Sequence, residues 1–418
     1  MMLIYRYIFF PIFYLLTYTF RFAHPKLRAY FKLRKNPYKD IVIPKNAYWF
    51  HCSSGEIEYA KPIFRWLKET HPSEKIVVTY FSNSSLNSIK KIAEIDIAVP
   101  LPIDTKGKMR DFINLFQPKY LFVARTDLWP EMLYQAHAAK IPCVLFAATL
   151  SDTNIKYTNP LARYLFQQLL SKLSLIICVS VDDASRFRSF QIKKLEVATD
   201  TRYLQVVHRL QHKKALPCQI KPTKPIIIFG STWSKDEEKL LPAFLDLLTE
   251  GFQIILVPHE VTKKHLSDLY EEMDYQCLTY AKWSKTSVWD NSEILVVDQV
   301  GYLAELYSYA EVAFIGGSFK RQVHSVMEAL ASGCLTLVGP KYKNNREAIE
   351  FQEYWIDGIQ PVQVIQDKKH LLARVRKWKK EQNRKKFKAS LISKVENLAH
   401  DAEKTFTHIE RLIQSTDA

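Results

Sequence analysis

Short runs of β-branched and aromatic residues recur along this chain, almost wholly apolar and separated by stretches long enough for a helix. From Ala47 the runs are AYWFHCS, EKIVVTYFS, PKYLFVART, IPCVLFAAT, LSLIICVS and KLEVAT. Strands covered on both faces read as continuous apolar runs, so the pattern predicts a parallel sheet with helices on either side. A polar, basic stretch from Tyr203 to Lys224, with Pro217 and Pro222, breaks the alternation and reads as an interdomain connection. The pattern then restarts with PIIIFGS, FQIILVPH, SEILVVD, EVAFIGGS and CLTLVGP. The expectation is an α/β chain of two doubly wound domains, with ligands beyond the carboxyl ends of the strands. A length of 418 residues suits two such cores.

The formal net charge is +16, and its distribution is more informative than its size. Residues 1–39 carry eight Lys and Arg and no acid, and residues 368–388 carry eleven against the single Glu381. The remainder is slightly acidic, so the basicity belongs to two local surfaces of the kind that meet anionic lipid or nucleic acid. For the second run, a solvated helix face explains the charge equally well. The cysteines Cys52, Cys143, Cys178, Cys218, Cys277 and Cys334 stand singly, with no C-x-x-C pair and no histidine at ligand spacing. That predicts reduced residues in a cytosolic body, with Cys143 and Cys178 as small core hydrophobes. No metal and no cofactor is expected.

Between Arg6 and Arg21 lies YIFFPIFYLLTYTF, fourteen uncharged residues. Crossing a bilayer takes about 20 residues, so the segment spans only if the residues before Arg6 join it and Arg6 snorkels. Pro11 and the repeated tyrosines favour a segment lying at the interface. Arg21, Phe22, His24 and Pro25 follow where a small-residue cleavage site would be, so the segment is expected to remain as a single N-terminal anchor. Its basic flank places it on the cytoplasmic side. A buried helix docked on the body is the alternative.

Candidate chemistry sits at strand ends. The first run closes with His51-Cys52-Ser53-Ser54-Gly55-Glu56. Gly55 suits a tight strand-to-helix turn, leaving Glu56 either as a general base or as an acid stabilised by the helix dipole. Gly230-Ser231-Thr232 precedes a helix expected to open with the capping box Ser234-x-x-Glu237. Gly316-Gly317-Ser318 leads to a helix predicted to carry His324 and Glu328 on one face. Backbone N–H groups at such turns bind an anion without a cation, and two turns in one half fit a nucleotide phosphate site. Glu328 then either accepts from ribose hydroxyls or lies as a surface acid beside His324. No D-x-D triplet occurs, which argues against a divalent cation holding a diphosphate.

The order of these landmarks resembles the Kdo (3-deoxy-D-manno-octulosonic acid) transferases of Gram-negative bacteria over almost the full length. The matching segments are the apolar N-terminus, Gly55-Glu56, VTYFSNSS, VPLPIDTKGKMRDFINLFQPKYLFVARTDLWPEML, IPCVLFAATLSD, ICVSVDDASRFRSF and DTRY at Asp200–Tyr203. They continue with GSTWSKDEE, ILVPHE, VGYLAELYSYAEVAFIGGSF, HSVMEAL and LVGPKYKNNREA. The resemblance implies a GT-B fold of two Rossmann-like domains with an N-terminal membrane anchor. It also implies an inverting, metal-independent transfer of Kdo from CMP-Kdo to a glucosamine hydroxyl of the lipid A precursor. Glu56 matches the family's catalytic base. Asp127, in Thr126-Asp127-Leu128-Trp129-Pro130, stands beside the acceptor where the family usually has Glu. Gly230, Ser231, Gly316, Gly317 and Ser318 match the nucleotide-phosphate turns, and Glu328 matches the ribose-binding acid. The chain departs from the family in a shorter loop from His51 to Glu56, in Ser325 for the usual Asn after the histidine, and in Pro258-His259 for Pro-Arg.

The expected layout is an anchor and basic flank at 1–39, an acceptor domain at 40–202 and a linker at 203–224. A CMP-Kdo-binding domain at 225–366 and a basic helical segment at 367–418 complete it. The implied partners are CMP-Kdo, the lipid A precursor and the anionic cytoplasmic face of the inner membrane, with no nucleic acid. One alternative is a GT-B transferase using another sugar nucleotide or lipid. The other is a non-catalytic protein binding anionic lipid or nucleic acid, against which the acids Glu56, Asp127 and Glu328 stand.

Overall fold

The computed structural model describes residues 2–35, 37–38, 41–53, 55–81, 86–290 and 293–417. Lys39 of the basic flank, Ser54 of the first loop and residues 82–85 of VTYFSNSS lie outside the described residues. The chain divides into two compact units, Met1–Gln205 with Leu398–Ala418, and Val206–Asn397.

The first unit is built on seven strands: β1 (Tyr48–His51), β2 (Ile76–Tyr80), β3 (Ile97–Pro100), β4 (Tyr120–Ala124), β5 (Cys143–Ala148), β6 (Leu175–Cys178) and β7 (Leu195–Val197). They form a parallel sheet in the order β3-β2-β1-β4-β5-β6-β7. Six of these lie in the apolar runs read above. The seventh, β3, was not foreseen, because IAVP is short and ends in Pro100. The sheet edge is one of the few places that tolerates a proline. Successive side chains of β1 enter opposite cores. Trp49 packs in a cluster with Phe112, Phe116 and Leu145, whereas Tyr48 and Phe50 pack with Phe64, Phe122 and Phe146. Ile409 and Ile413 of the C-terminal helix Lys404–Asp417 complete this second cluster, which ties the end of the chain to the first unit.

The second unit holds β8 (Gln219–Ile220), β9 (Ile226–Thr232), β10 (Gln253–Pro258), β11 (Tyr280–Lys282), β12 (Val288–Trp289), β13 (Ile294–Val296), β14 (Ala310–Ile315), β15 (Leu335–Val338) and β16 (Val362–Val364). The main sheet is parallel in the order β11-β13-β10-β9-β14-β15-β16, and β8 pairs with β12 apart from it. The stretch read as a connection contains the helix Arg202–Gln211 and then β8. The second basic run forms the amphipathic helix Lys368–Lys380, with Leu371, Leu372, Val375 and Trp378 buried, and the start of Arg384–Ala402. Part of its charge is answered locally. Arg376 and Lys379 meet Glu250 at 2.9 and 3.4 Å, and Arg384 and Lys386 meet Glu311 and Asp357, each at 3.1 Å.

At the N-terminus, Met2–Phe20 is one helix of 19 residues, about 28 Å at 1.5 Å per residue and close to the ~30 Å hydrocarbon core. Pro11 does not end it. The turn before it is π-helical, with Phe10 N–H donating to Tyr5 O, and such a widened turn accommodates a residue lacking its own N–H. Leu3, Ile4, Ile8, Phe9, Ile12, Leu15 and Leu16 face outward. One edge docks on the body: Tyr5 OH donates to Asp104 at 2.6 Å, and Arg6 pairs with the buried carboxylate of Glu131. The helix Pro25–Leu33 folds back, setting Phe31 edge-on to Tyr14 and Tyr18 at 5.7 and 5.3 Å.

Candidate active site

The strand order reverses between β1 and β4 in the first sheet and between β9 and β14 in the second. Loops leaving a doubly wound sheet at such a point diverge and open a crevice. The candidate residues lie on these loops, except that Gly230 and Ser231, read as a turn, belong to the last residues of β9, which continues to Thr232. Ser53 to Glu56 follows β1 and Asp127 follows β4, while Gly230 ends the β9 ladder and Gly316 follows β14.

In the first unit, the imidazole of His51 is wholly buried, with Nε2 at 3.0 Å from Asp127 Oδ2 and Nδ1 at 3.0 Å from Thr79 Oγ1. Trp49 Nε1 donates to the same threonine hydroxyl at 2.9 Å. Ser53 Oγ also donates to Asp127 Oδ2. Burial works against the charge on Asp127, yet the hydrogen bond and charge of His51 and the bond from Ser53 outweigh it, holding the carboxyl below its usual range. Glu56 is half-buried and immediately precedes the helix Ile57–Thr70, with no capping bond from its side chain. Cys52, which follows β1, is fully buried. Burial pushes its thiol well up, and the charges of Glu56 and Asp127 add to the rise. A thiol so placed stays protonated and inert. Arg125 (φ 61°) donates to Tyr59 OH at 3.0 Å. The ammonium of Lys156 is pushed down by burial and drawn back by Asp127. Gly55 is exposed, its φ lies outside the left-handed region, and a Cβ there would meet nothing within 4 Å, so this turn does not require glycine.

In the second unit the glycines are required. A Cβ on Gly230 would lie 2.4 Å from Tyr307 Oη, and one on Gly316 would lie 2.2 Å from the carbonyl oxygen of Ser231. Gly317 has φ +90° and would collide with Gln322 O. Ser231 is itself left-handed at φ 55°. The turn after β14 does bind an anion, and that anion belongs to the chain. Asp236 accepts from Gly317 N at 2.7 Å, Phe319 N at 3.2 Å and Trp233 N at 2.9 Å. Burial nevertheless pushes the Asp236 carboxyl above its usual range against these three donors. The expected capping box is therefore displaced by one residue. Trp233 caps the helix Ser234–Leu240 and Asp236 reaches back to it. Glu237 turns instead to Thr232 Oγ1 at 2.8 Å and His265 Nε2 at 3.2 Å. Ser318 is buried, its hydroxyl donating to Ile315 O at 3.2 Å and accepting from Gly339 N at 2.7 Å.

His324 and Glu328 do not share a helix face, because the helix Met327–Ala331 begins after the histidine. His324 belongs to a stack of rings instead. His259 lies 4.5 Å from Trp233 and 4.3 Å from His324, and Lys320 Nζ sits 3.8 Å over Trp233. Trp233 Nε1 donates to His324 Nε2 at 2.8 Å, so the ring is neutral with its proton on Nδ1. Burial, with the neighbouring His259 adding to it, brings His324 down to about 4. Glu328 accepts from Ser325 Oγ at 2.7 Å, and its charge is felt at Tyr307, whose hydroxyl abuts Gly230. Trp233, Asp236 and Lys320 were not among the residues singled out from sequence. Their only signal was position at a strand end or glycine turn. Among the described residues, no group of three or more His, Cys, Asp or Glu is placed to hold a metal ion.

Residues 22–205, which include the His51–Asp127 centre, match the family described as 3-deoxy-D-manno-octulosonic-acid transferase (kdotransferase). Over that segment the chain is similar to the Kdo transferases. It is 27% identical over 298 residues to the 3-deoxy-D-manno-octulosonic acid transferase of Haemophilus influenzae, covering 69% of each chain. It is likewise 27% identical over 325 residues to the enzyme of that name from Aquifex aeolicus, covering 76% of this chain and 82% of the relative. Among solved structures, a UDP-GlcNAc 2-epimerase from Neisseria meningitidis has a TM-score of 0.59 at 16% identity, covering 88% of this chain and 99% of the other. That likeness concerns the fold alone, and it agrees with the two Rossmann-like parallel sheets described above.

Proposed function

We propose that this chain is a glycosyltransferase moving Kdo from CMP-Kdo to a hydroxyl of the lipid A precursor, with inversion and without a metal. The observation that carries the reading is the Asp127 carboxylate held by buried His51 and by Ser53, which shares a loop with Glu56, at the strand-order reversal of the segment that matches the family. Glu56 takes the proton of the acceptor hydroxyl as its oxygen attacks the anomeric carbon. The bond to the CMP phosphate breaks at the same time, and its electron pair leaves with the phosphate. Asp127, kept ionised and oriented by His51 and Ser53, positions the acceptor. Gly55 lies in the loop that presents Glu56.

The donor belongs to the second unit, in a domain from 225 to 366, and the acceptor to the first, from 40 to 202. Because Asp236 already fills the N–H groups of Gly317 and Phe319, the role of Gly316, Gly317 and Ser318 is to shape the turn. The phosphate charge is met by Lys320, by His324 Nδ1–H and by the end of β9 at Gly230 and Ser231. Glu328 accepts from the ribose hydroxyls. The anchor and its basic flank hold the enzyme on the cytoplasmic face of the inner membrane, where an anionic amphiphile gathers.

The test is incubation of the purified chain with CMP-Kdo and lipid A precursor in excess EDTA, with product read by mass. Kdo addition is the expected result. Turnover only with a uridine sugar nucleotide, turnover only with added divalent metal, or salt-sensitive DNA binding without turnover would replace this reading.

A further inference from the structure

A cavity of about 440 Å³ lies between the N-terminal helical hairpin and the body of the first unit, walled by Phe13, Tyr14, Tyr30, Phe81, Leu101 and Trp129 among others. Its volume is in the range of small-ligand pockets, and its walls are those of a site for an apolar chain. Phe13, itself exposed, belongs to the helix whose outer face is apolar, so the cavity borders that face. The opposite wall reaches Asp127. Phe81 and Trp129 stack at 5.1 Å, Phe81 N–H donates to Ser53 O at 3.4 Å, and the Ser53 hydroxyl holds Asp127.

A second cavity of about 540 Å³ shares the Pro102–Ile103 wall and is lined by Arg34, Lys35, Lys108 and Asp111. Arg34 is the notable member. Its guanidinium donates to the carbonyls of Leu101 at 2.7 Å, Phe81 at 2.9 Å and Tyr30 at 3.1 Å, and lies over the rings of Tyr30 and Phe81. No carboxylate among the described residues pairs with it. A largely buried cation matched only by carbonyls and rings is incompletely compensated, and an anion beside it would complete the site.

We infer that the two cavities form one site for the acceptor lipid, an acyl chain filling the aromatic cavity and a head-group phosphate meeting Arg34, Lys35 and Lys108. This rests on the transferase reading above and adds to it where the lipid portion goes. One acyl chain drawn out of the bilayer beside Phe81 and Trp129 holds the sugar hydroxyl at Asp127 while the rest of the lipid stays in the membrane.

The test uses the full chain in nanodiscs and two variants that fill the cavity from different helices, Ala29→Trp and Thr17→Trp. Each is assayed with intact lipid A precursor and with the same molecule stripped of its fatty acids. The KM for the acylated acceptor should rise about tenfold or more, the equivalent of withdrawing two methylenes from an apolar site, while the KM values for the stripped acceptor and for CMP-Kdo stay within about twofold. An equal rise for both acceptors, or no rise in either variant, overturns the proposal. A second arm reads quenching of Trp129 fluorescence by a phospholipid with brominated chains, with Trp129→Phe isolating that residue's signal. Lipid A precursor should relieve the quenching. Quenching that it leaves unchanged assigns the cavity to bulk lipid and overturns the proposal. If the parent transfers no Kdo, the transferase reading fails and this second arm still decides the cavity.

Discussion

His51 Nε2 lies 3.0 Å from Asp127 Oδ2, with the imidazole wholly buried and the carboxylate partly open to solvent. The relationship has a direction. The histidine and Thr79 are structural and fixed, while the carboxylate presents one side to whatever enters the loop region. Asp127→Ala removes the strong partner of a buried ring nitrogen, leaving it only the 3.3 Å contact with Ser53 Oγ. A loss of about 1–3 kcal/mol in urea unfolding is expected, with a smaller loss for Asp127→Asn, which keeps an acceptor oxygen. Equal stability of parent and Ala variant would mean that the pair does not form.

The glycine turns differ sharply in what they tolerate. Gly316→Ala forces a Cβ to within 2.2 Å of the Ser231 carbonyl oxygen, a backbone atom that cannot swing away. Destabilisation of about 1–3 kcal/mol or more is expected, with loss of CMP binding. Gly55→Ala meets nothing within 4 Å and should change stability by no more than about 0.5 kcal/mol. Calorimetric unfolding of the two variants checks the contrast.

His324 makes the second unit acid-sensitive with a defined sign. Its folded value of about 4 lies below the ordinary histidine value of about 6.5, so the unfolded chain binds more protons between them. The contribution is full above about pH 6.5 and is lost as the pH falls toward 4. An NMR titration should place the His324 midpoint near 4, and His259→Asn should raise it by removing the neighbouring ring charge. A midpoint near 6.5 in the parent would contradict the burial of this ring against Trp233.

Much of this was legible before any coordinates. Each of the eleven apolar runs contains one strand of the two main sheets, KLEVAT holding the edge strand β7. Strands made of short or mixed residues, such as β3 (IAVP) and β16 (VQV), carry too little pattern to be found alone. The glycines at 316 and 317 announced a turn, whereas Gly230 lies within β9, and the structure explains all three by close backbone and Tyr307 contacts. What could not be read were partnerships between distant segments. Asp236 entering the turn after β14, and the stack of Trp233, His259 and His324, depend on β9, β10 and β14 lying side by side. The capping pattern pointed at Glu237 because Ser234 is the better cap by type. The turn selects Asp236 because its own N–H groups need an anion.

Glu328 offers a test of donor recognition. If it accepts from the ribose, Glu328→Ala should weaken CMP and CMP-Kdo alike by roughly 1.5–3 kcal/mol, with acceptor affinity unchanged. A 2′-deoxy or 3′-deoxy CMP should lose affinity for the parent and little further for the variant. Additive losses by titration calorimetry would leave Glu328 as the partner of Ser325 alone.

The measurement closest to the central claim is the initial rate of Kdo transfer to lipid A precursor by the parent and by Glu56→Gln, at saturating CMP-Kdo and in excess EDTA. The parent should convert the acceptor, and the variant should bind both substrates normally while turning over about a hundred- to ten-thousandfold more slowly, the contribution of a positioned base. A variant as fast as the parent would remove Glu56 from the mechanism, and a parent that adds no Kdo at all would contradict the account as a whole.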